Sequence, residues 1–200
     1  MLFIALQGNI ASGKSTVLDH LELAGYRVIR EPLHIWNSFK IEGRPILEAY
    51  YKDRERWGFT FQLMVLTQFA KLLEWYACKD SDRKIIIIER SPLAGFRIFA
   101  RNLYEDNMIN ETEVRLLEEI YNSIFSQYRF LNIYLRCDPE VALRRLQLRG
   151  RDAENSISLE YINKLHFLHE EWLIENAFTV NANEPSILVF EKVKSHISDL

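Results

Sequence analysis

Residues 8–16 read Gly8-Asn9-Ile10-Ala11-Ser12-Gly13-Lys14-Ser15-Thr16, a full match to G-x-x-x-x-G-K-[ST]. A segment of this kind wraps phosphate. Its glycines let the backbone curl until the N–H groups from Ala11 to Ser15 point inward at anionic oxygens. Lys14 then supplies a cation for the β- and γ-phosphates of a nucleoside triphosphate, and Ser15 a hydroxyl for Mg2+. Glu31 is a second residue with chemistry to offer. Pro32 drives it out of helical geometry, so its carboxylate sits at a strand end, where it can accept a proton from an attacking hydroxyl. Standing alone, it would read as a solvated loop residue. Glu89-Arg90 follows four isoleucines, and such a charged pair must face solvent or a polar cleft. Glu89 is a candidate to hold Mg2+ through water, and Arg90 to steady Glu31 and the acceptor hydroxyl. Arg144, Arg145, Arg149 and Arg151, with Gly150 as a pivot, suggest a mobile clamp over a transferring phosphoryl group. The plainer alternative for these arginines is a solvated helix face.

Short apolar runs must position these residues, and they alternate with longer amphipathic ones. That alternation predicts βα units around a parallel sheet. Strands are expected at Leu2–Leu6, Tyr26–Ile29, Ile85–Ile88, Phe130–Leu135 and Phe178–Val180. Helices are expected at Ser15–Leu23, Arg54–Tyr76, Glu111–Tyr128, from Pro139 past Leu148, at Leu159–Ile174 and at Ser186–Ile197. Asp138 and Ser158 are the natural N-caps of two of them. The predicted fold is a single three-layer α/β domain over residues 1–200, of the P-loop NTPase type. It has about five parallel strands, helices on both faces and a lid around residues 144–156.

The chain has 200 residues and a formal net charge of −3. A broad nucleic-acid surface would be basic, so any anion site must be local and no nucleic-acid partner is expected. Cys78 and Cys137 lack metal-ligand spacing and read as reduced thiols. The apolar run before Gly8 is too short for a signal segment or a membrane span. The expected compartment is the cytoplasm, with nucleus and mitochondrion left open. Trp57, Trp75 and Trp172 read as core or helix-packing residues. His166 and His169 lack a third ligand and read as structural.

Five segments in order carry a resemblance: GNIASGKST; Glu31-Pro32 with Trp36 shortly after; ERSPLAGFRIFARNL; YLRCDPEVALRRLQLRGRDAEN; and SLEYINKLHFLHEEWL. Together they resemble the deoxynucleoside kinase family, over most of the chain. The resemblance implies transfer of the γ-phosphate of ATP, with Mg2+, to the 5′-hydroxyl of a deoxynucleoside. It implies Glu31 as catalytic base, Arg90 as its partner, Glu89 with Ser15 at the metal, and Arg145, Arg149 and Arg151 as lid arginines. Trp36, Phe69 and Phe99 match walls around the base, Gln62 the amide that reads its edge, and Tyr51 with Glu154 the pair on the sugar 3′-hydroxyl. One branch of the family carries an Asp where this chain has Gly95 and an Arg where it has Phe69. Their absence implies a pyrimidine-preferring pocket that accepts thymidine and deoxycytidine. Ala153 and Phe96 are further departures, at a common lid Glu and a common Arg. The family also implies a homodimer built on the long helices, with Phe59, Leu63, Phe69 and Trp75 giving the first of them extra apolar surface. Two alternatives stand beside this reading: a nucleoside monophosphate kinase such as thymidylate kinase, and a non-catalytic nucleotide-binding protein.

Overall fold

A computed structural model describes residues 2–79 and 85–200. Strand β1 (Leu2–Gln7) leads through the phosphate loop into α1 (Lys14–Leu23) and then β2 (Val28–Ile29). There follow α2 (Leu33–Trp36), a small hairpin of β3 (Lys40–Ile41) and β4 (Arg44–Pro45), α3 (Ile46–Lys52) and the long α4 (Arg54–Lys79). Strand β5 (Ile85–Glu89) feeds α5 (Pro92–Ala94), a π-helical turn (Gly95–Ala100), α6 (Arg101–Glu105) and α7 (Glu111–Phe125). The chain closes with β6 (Arg129–Arg136), α8 (Pro139–Arg149), a 3-10 turn (Asp152–Glu154), α9 (Leu159–Leu173), β7 (Phe178–Asn181) and α10 (Ser186–Ser198). The expected fold class is the observed one, with a five-stranded parallel sheet in the order β2-β5-β1-β6-β7.

The strand period of two divides the core into two halves. Ile4, Leu6, Ile87, Ile133 and Leu135 face one side, against residues of α1, α8, α9 and α10 such as Leu18, Leu146, Leu165 and Val193. Phe3, Ala5, Ile86 and Ile88 face the other, against Trp36 of α2, Tyr50 of α3, Leu66 and Leu73 of α4, and Leu117 of α7. A strand buried on both faces must be apolar throughout, which is why Ile85–Ile88 reads as an unbroken run. Each such isoleucine contributes about 1.5–3 kcal/mol over an exposed position.

Connections from β1 and β5 leave toward opposite edges of the sheet. Between the C-terminal ends of these two strands lies the crevice where open α/β sheets bind ligands. Gly8, Glu31 and Arg90 each follow the end of a strand in this cluster.

Three expectations need correction. Asp138 occupies the N-cap position of α8, but its side chain makes no cap bond; it lies 3.7 Å from Arg136 Nη1. Its own N–H donates to Asn183 Oδ1 at 3.0 Å, tying α8 to the loop after β7. Trp75 is no core residue, being 49% exposed. Phe69 adds nothing to the outer face of α4, because it is fully buried against the sheet side. Ser158 does cap α9, accepting from Tyr161 N at 3.2 Å. Among the described residues no helix is long and apolar enough to cross a membrane.

Candidate active site

The loop between β1 and α1 takes its shape from three positive φ values: +150° at Gly8, +57° at Ala11 and +101° at Gly13. Asn9 anchors it. Its amide donates to Ile162 O at 3.0 Å, and its Oδ1 accepts from Ile10 N at 2.8 Å. Lys14 lies buried and folds back on the loop, donating to Gly8 O at 3.0 Å and Asn9 O at 2.7 Å. Burial, with the Arg90 guanidinium adding to it, pushes the Lys14 ammonium down to about 7.

The buried Arg90 and the half-buried Glu31 form an ion pair, Nη1 to Oε1, at 2.7 Å. Arg90 also donates to Gly8 O at 3.2 Å, so one guanidinium links the carboxylate to the root of the phosphate loop. Its backbone is left-handed, with φ +59°. This is rare for a residue with a long side chain and characteristic of functional sites. Glu31 and Glu89 both raise the Arg90 pKa and offset its burial.

Ser15 Oγ donates to Glu89 Oε1 at 3.2 Å. A hydroxyl beside a carboxylate is a hard, all-oxygen donor set. It fits Mg2+, which keeps several waters and takes only one or two protein ligands beside phosphate. Among the described residues no group of three or more His, Cys, Asp or Glu is placed to hold a metal ion.

Arg145 donates to Ala182 O at 2.9 Å and Ser12 O at 3.4 Å, bridging α8, the phosphate loop and the turn after β7. Arg149 and Arg151 both turn to the buried Glu154, at 2.6 and 3.4 Å. Gly150 between them adopts φ +61° and ends α8. Arg144 is exposed and stands away from the cavity.

All these groups open on one cavity of about 840 Å³. One end holds residues 10–17, Arg145 and the Ala182–Ser186 turn. The other holds Trp36, Tyr51, Gln62, Phe69, Gly95, Phe99 and Glu154, with Glu31, Glu89 and Arg90 between the two ends. Gly8 and Asn9 contribute backbone rather than lining. Aromatic contacts make the far end rigid: Phe61 stacks on Tyr50 at 4.6 Å and meets Trp36 edge-on at 5.5 Å. A Cβ built on Gly95 would lie 3.6 Å from Gln62 Oε1, so the glycine leaves open the space beside that amide.

Sequence reasoning passed over Tyr50, Phe61, Val65 and Ser91. Phe61, Gln62, Val65 and Phe69 form one stripe of α4, and helical spacing around Gln62 was the available signal for two of them. Nothing in the local sequence marks Tyr50 or Ser91.

Comparison with known proteins gives the family and the fold. The family model described as deoxynucleoside kinase matches residues 4–199. Deoxycytidine kinase of Mus musculus is 37% identical over 196 residues, covering 86% of this chain and 75% of the relative. A putative kinase of Invertebrate iridescent virus 3 is 34% identical over 202 residues, covering 98% of this chain and 96% of its own. Among solved structures, deoxyadenosine kinase from M. mycoides, with the products dCMP and a flexible dCDP bound, superposes with a TM-score of 0.83. It is 26% identical and the match covers 99% of this chain and 100% of that one.

Proposed function

The chain belongs to the deoxynucleoside kinase family, and on that premise we propose that it moves the γ-phosphate of ATP to the 5′-hydroxyl of a pyrimidine deoxynucleoside. The observation that carries this reading is the Glu31–Arg90 pair, 2.7 Å apart, its carboxylate half-buried at the cavity and its guanidinium buried and tied to Gly8 at the phosphate loop. Where a monophosphate kinase would need a cationic pocket for the acceptor's phosphate, this cavity offers a carboxylate suited to a hydroxyl.

In this account Glu31 takes the 5′-hydroxyl proton as that oxygen attacks, and Arg90 holds the carboxylate in line. Lys14 and the loop N–H groups cradle the triphosphate. Arg145, Arg149 and Arg151 neutralise charge on the transferring group. Ser15 and, through water, Glu89 would hold Mg2+, which would supply charge neutralisation to the triphosphate. Residues 144–156 act as the lid of one domain, in which Arg149 and Arg151 rest on Glu154 and Arg145 on the phosphate loop. Tyr51 and Glu154 take the sugar 3′-hydroxyl. A buried polar group left unpaired costs about 1–3 kcal/mol. The 3′-deoxy analogue of thymidine should therefore be used far less efficiently, and equal kcat/KM for the two would remove Tyr51 and Glu154 from this role.

Specificity rests on Gly95 and Phe69. Phe69 closes the far end with an apolar wall that offers a purine no hydrogen bond. Gly95 leaves room beside Gln62, whose Oε1 lies 3.6 Å from where a Cβ would stand, and a 5-methyl group is expected to use that room. The relatives named deoxycytidine kinase support deoxycytidine as a substrate; the name of the M. mycoides enzyme points to a purine. Thymidine and deoxycytidine are expected above deoxyadenosine and deoxyguanosine in kcat/KM when the four are assayed in parallel with Mg·ATP. Gly95→Asp with Phe69→Arg should move preference away from thymidine, by about 10- to 200-fold if one methyl-sized contact decides it. Strong purine preference in the unaltered enzyme would sink this reading of the pocket and spare the kinase.

A homodimer is part of the proposal. Its support is the exposure of Trp75 on α4 and Leu116 on α7, helices that pack on each other. Sedimentation at micromolar concentration should give a dimer; a monomer would count against it.

A further inference from the structure

Gln7, the last residue of β1, is fully buried, and the four residues before it, Phe3 to Leu6, are all apolar. Its side-chain amide donates to Ser91 Oγ at 2.8 Å and to Asn132 Oδ1 at 3.0 Å. Its Oε1 has no hydrogen-bond partner among the described residues. A buried amide with an orphaned acceptor detracts from stability relative to an apolar group of the same shape. The reason for a glutamine here lies in what it holds.

It holds Ser91. That residue occupies the N-cap position of α5, yet its hydroxyl makes no cap bond and accepts from Gln7 instead. Arg90, one residue earlier, carries the left-handed backbone, and its N–H donates to Leu6 O at 3.1 Å. The end of β1 therefore fixes Arg90 on both sides: the Leu6 carbonyl takes its amide, and the Gln7 side chain takes the next residue. Uncommon backbone conformations persist only where their surroundings over-determine them. The side chain aimed by this conformation is the one that holds Glu31.

We propose that Gln7 is a positioning residue for phosphoryl transfer. By clamping Ser91 it keeps the Arg90 backbone left-handed and so holds the Glu31 carboxylate in line. Gln7 does not line the cavity, whereas Ser91 and Arg90 do, so its effect reaches the base through those two residues. The inference rests on Glu31 being the base.

Gln7→Met keeps the length of the side chain and removes both hydrogen bonds. Its kcat should fall by about 10- to 100-fold, as for a reacting group displaced by a fraction of an ångström to an ångström. KM for ATP should stay within about twofold, since the phosphate loop itself is untouched. In a Glu31→Gln background the same substitution should lower kcat no further, because the base it positions is already gone. Ser91→Ala removes the same contact from the other side and should reproduce the effect. It takes over the test if Gln7→Met does not accumulate as folded protein. A kcat within about twofold of the unaltered enzyme overturns the proposal, as does an equal fall in both backgrounds, which would mark a merely structural role. Glu31→Gln alone reports on the base. Near-normal turnover in that variant removes Glu31 and this inference together, whereas a slow Glu31→Gln enzyme with an inert Gln7→Met change removes the inference only.

Discussion

Glu31→Gln is expected to lower kcat by about 100-fold or more while leaving deoxynucleoside binding nearly unchanged. The substitution keeps the shape of the side chain and its ability to accept from Arg90 Nη1, now 2.7 Å from Glu31 Oε1. What it removes is the capacity to take a proton. A hydroxyl attacking phosphorus must shed its proton, and among the described residues the other carboxylates lining the cavity are Glu89, Glu154 and Glu184, the last paired with Lys192. Glu89 is engaged by the Ser15 hydroxyl, and Glu154 by Arg149 and Arg151. The loss should fall on kcat, because the interaction is made only as the proton leaves. Turnover near that of the unaltered enzyme would remove Glu31 from the role of base.

Gly8→Ala should be nearly as damaging, for a different reason. The φ of +150° at Gly8 is one that residues with a Cβ rarely adopt, and the added carbon would meet Ser12 Oγ at 2.6 Å and the Leu135 carbonyl at 2.8 Å. The hydroxyl can rotate aside, but the carbonyl belongs to β6 and cannot. The phosphate loop must shift, taking with it the carbonyl that both Lys14 and Arg90 use. Displacement of this order costs about 100-fold in kcat/KM for ATP, and strain adds about 1–3 kcal/mol of destabilisation. Gly43→Ala is the control. Gly43 also has positive φ, +81°, but nothing lies within 4 Å of its Cβ direction and it sits in the β3–β4 turn. It should lower Tm without touching catalysis. An active Gly8→Ala enzyme with an ordinary KM for ATP would show that the loop tolerates what its geometry forbids.

These positions differ in how plainly the sequence announces them. Ile85–Ile88 is a run that only a strand buried on both faces explains, and residues 8–16 are a contiguous pattern that sets the shape of their own backbone. Both are local, and local signals survive translation into structure. Glu31 was legible through its neighbour Pro32, a constraint on one peptide unit. The order of the strands was not legible, since it depends on which strands pair across long separations, such as Leu2 beside Arg129 and Ile133 beside Phe178. Nor was the hairpin at Lys40–Pro45, whose Glu42-Gly43 turn connects strands of two residues each. Helix α3, at seven residues, is too short for periodicity to declare it. Asp138 misled for a physical reason: its cap role yields to an ion pair with Arg136 and to the bond its amide gives Asn183, 45 positions away in sequence. Phe69 misled likewise, because an apolar residue on a long helix looks the same whether it faces a partner or the cavity. Most hidden was the Gln7–Ser91 contact, 84 positions apart in sequence, which no pattern of spacing encodes.

The central claim is that the acceptor is a deoxynucleoside hydroxyl rather than a phosphate. The direct measurement supplies γ-labelled ATP and Mg2+ with either thymidine and deoxycytidine or their 5′-monophosphates, and follows where the label goes. Label in the 5′-monophosphate of the free deoxynucleosides, with little transfer to the monophosphates, is the expected result. Label appearing only as diphosphate, from the monophosphate acceptors, would contradict it.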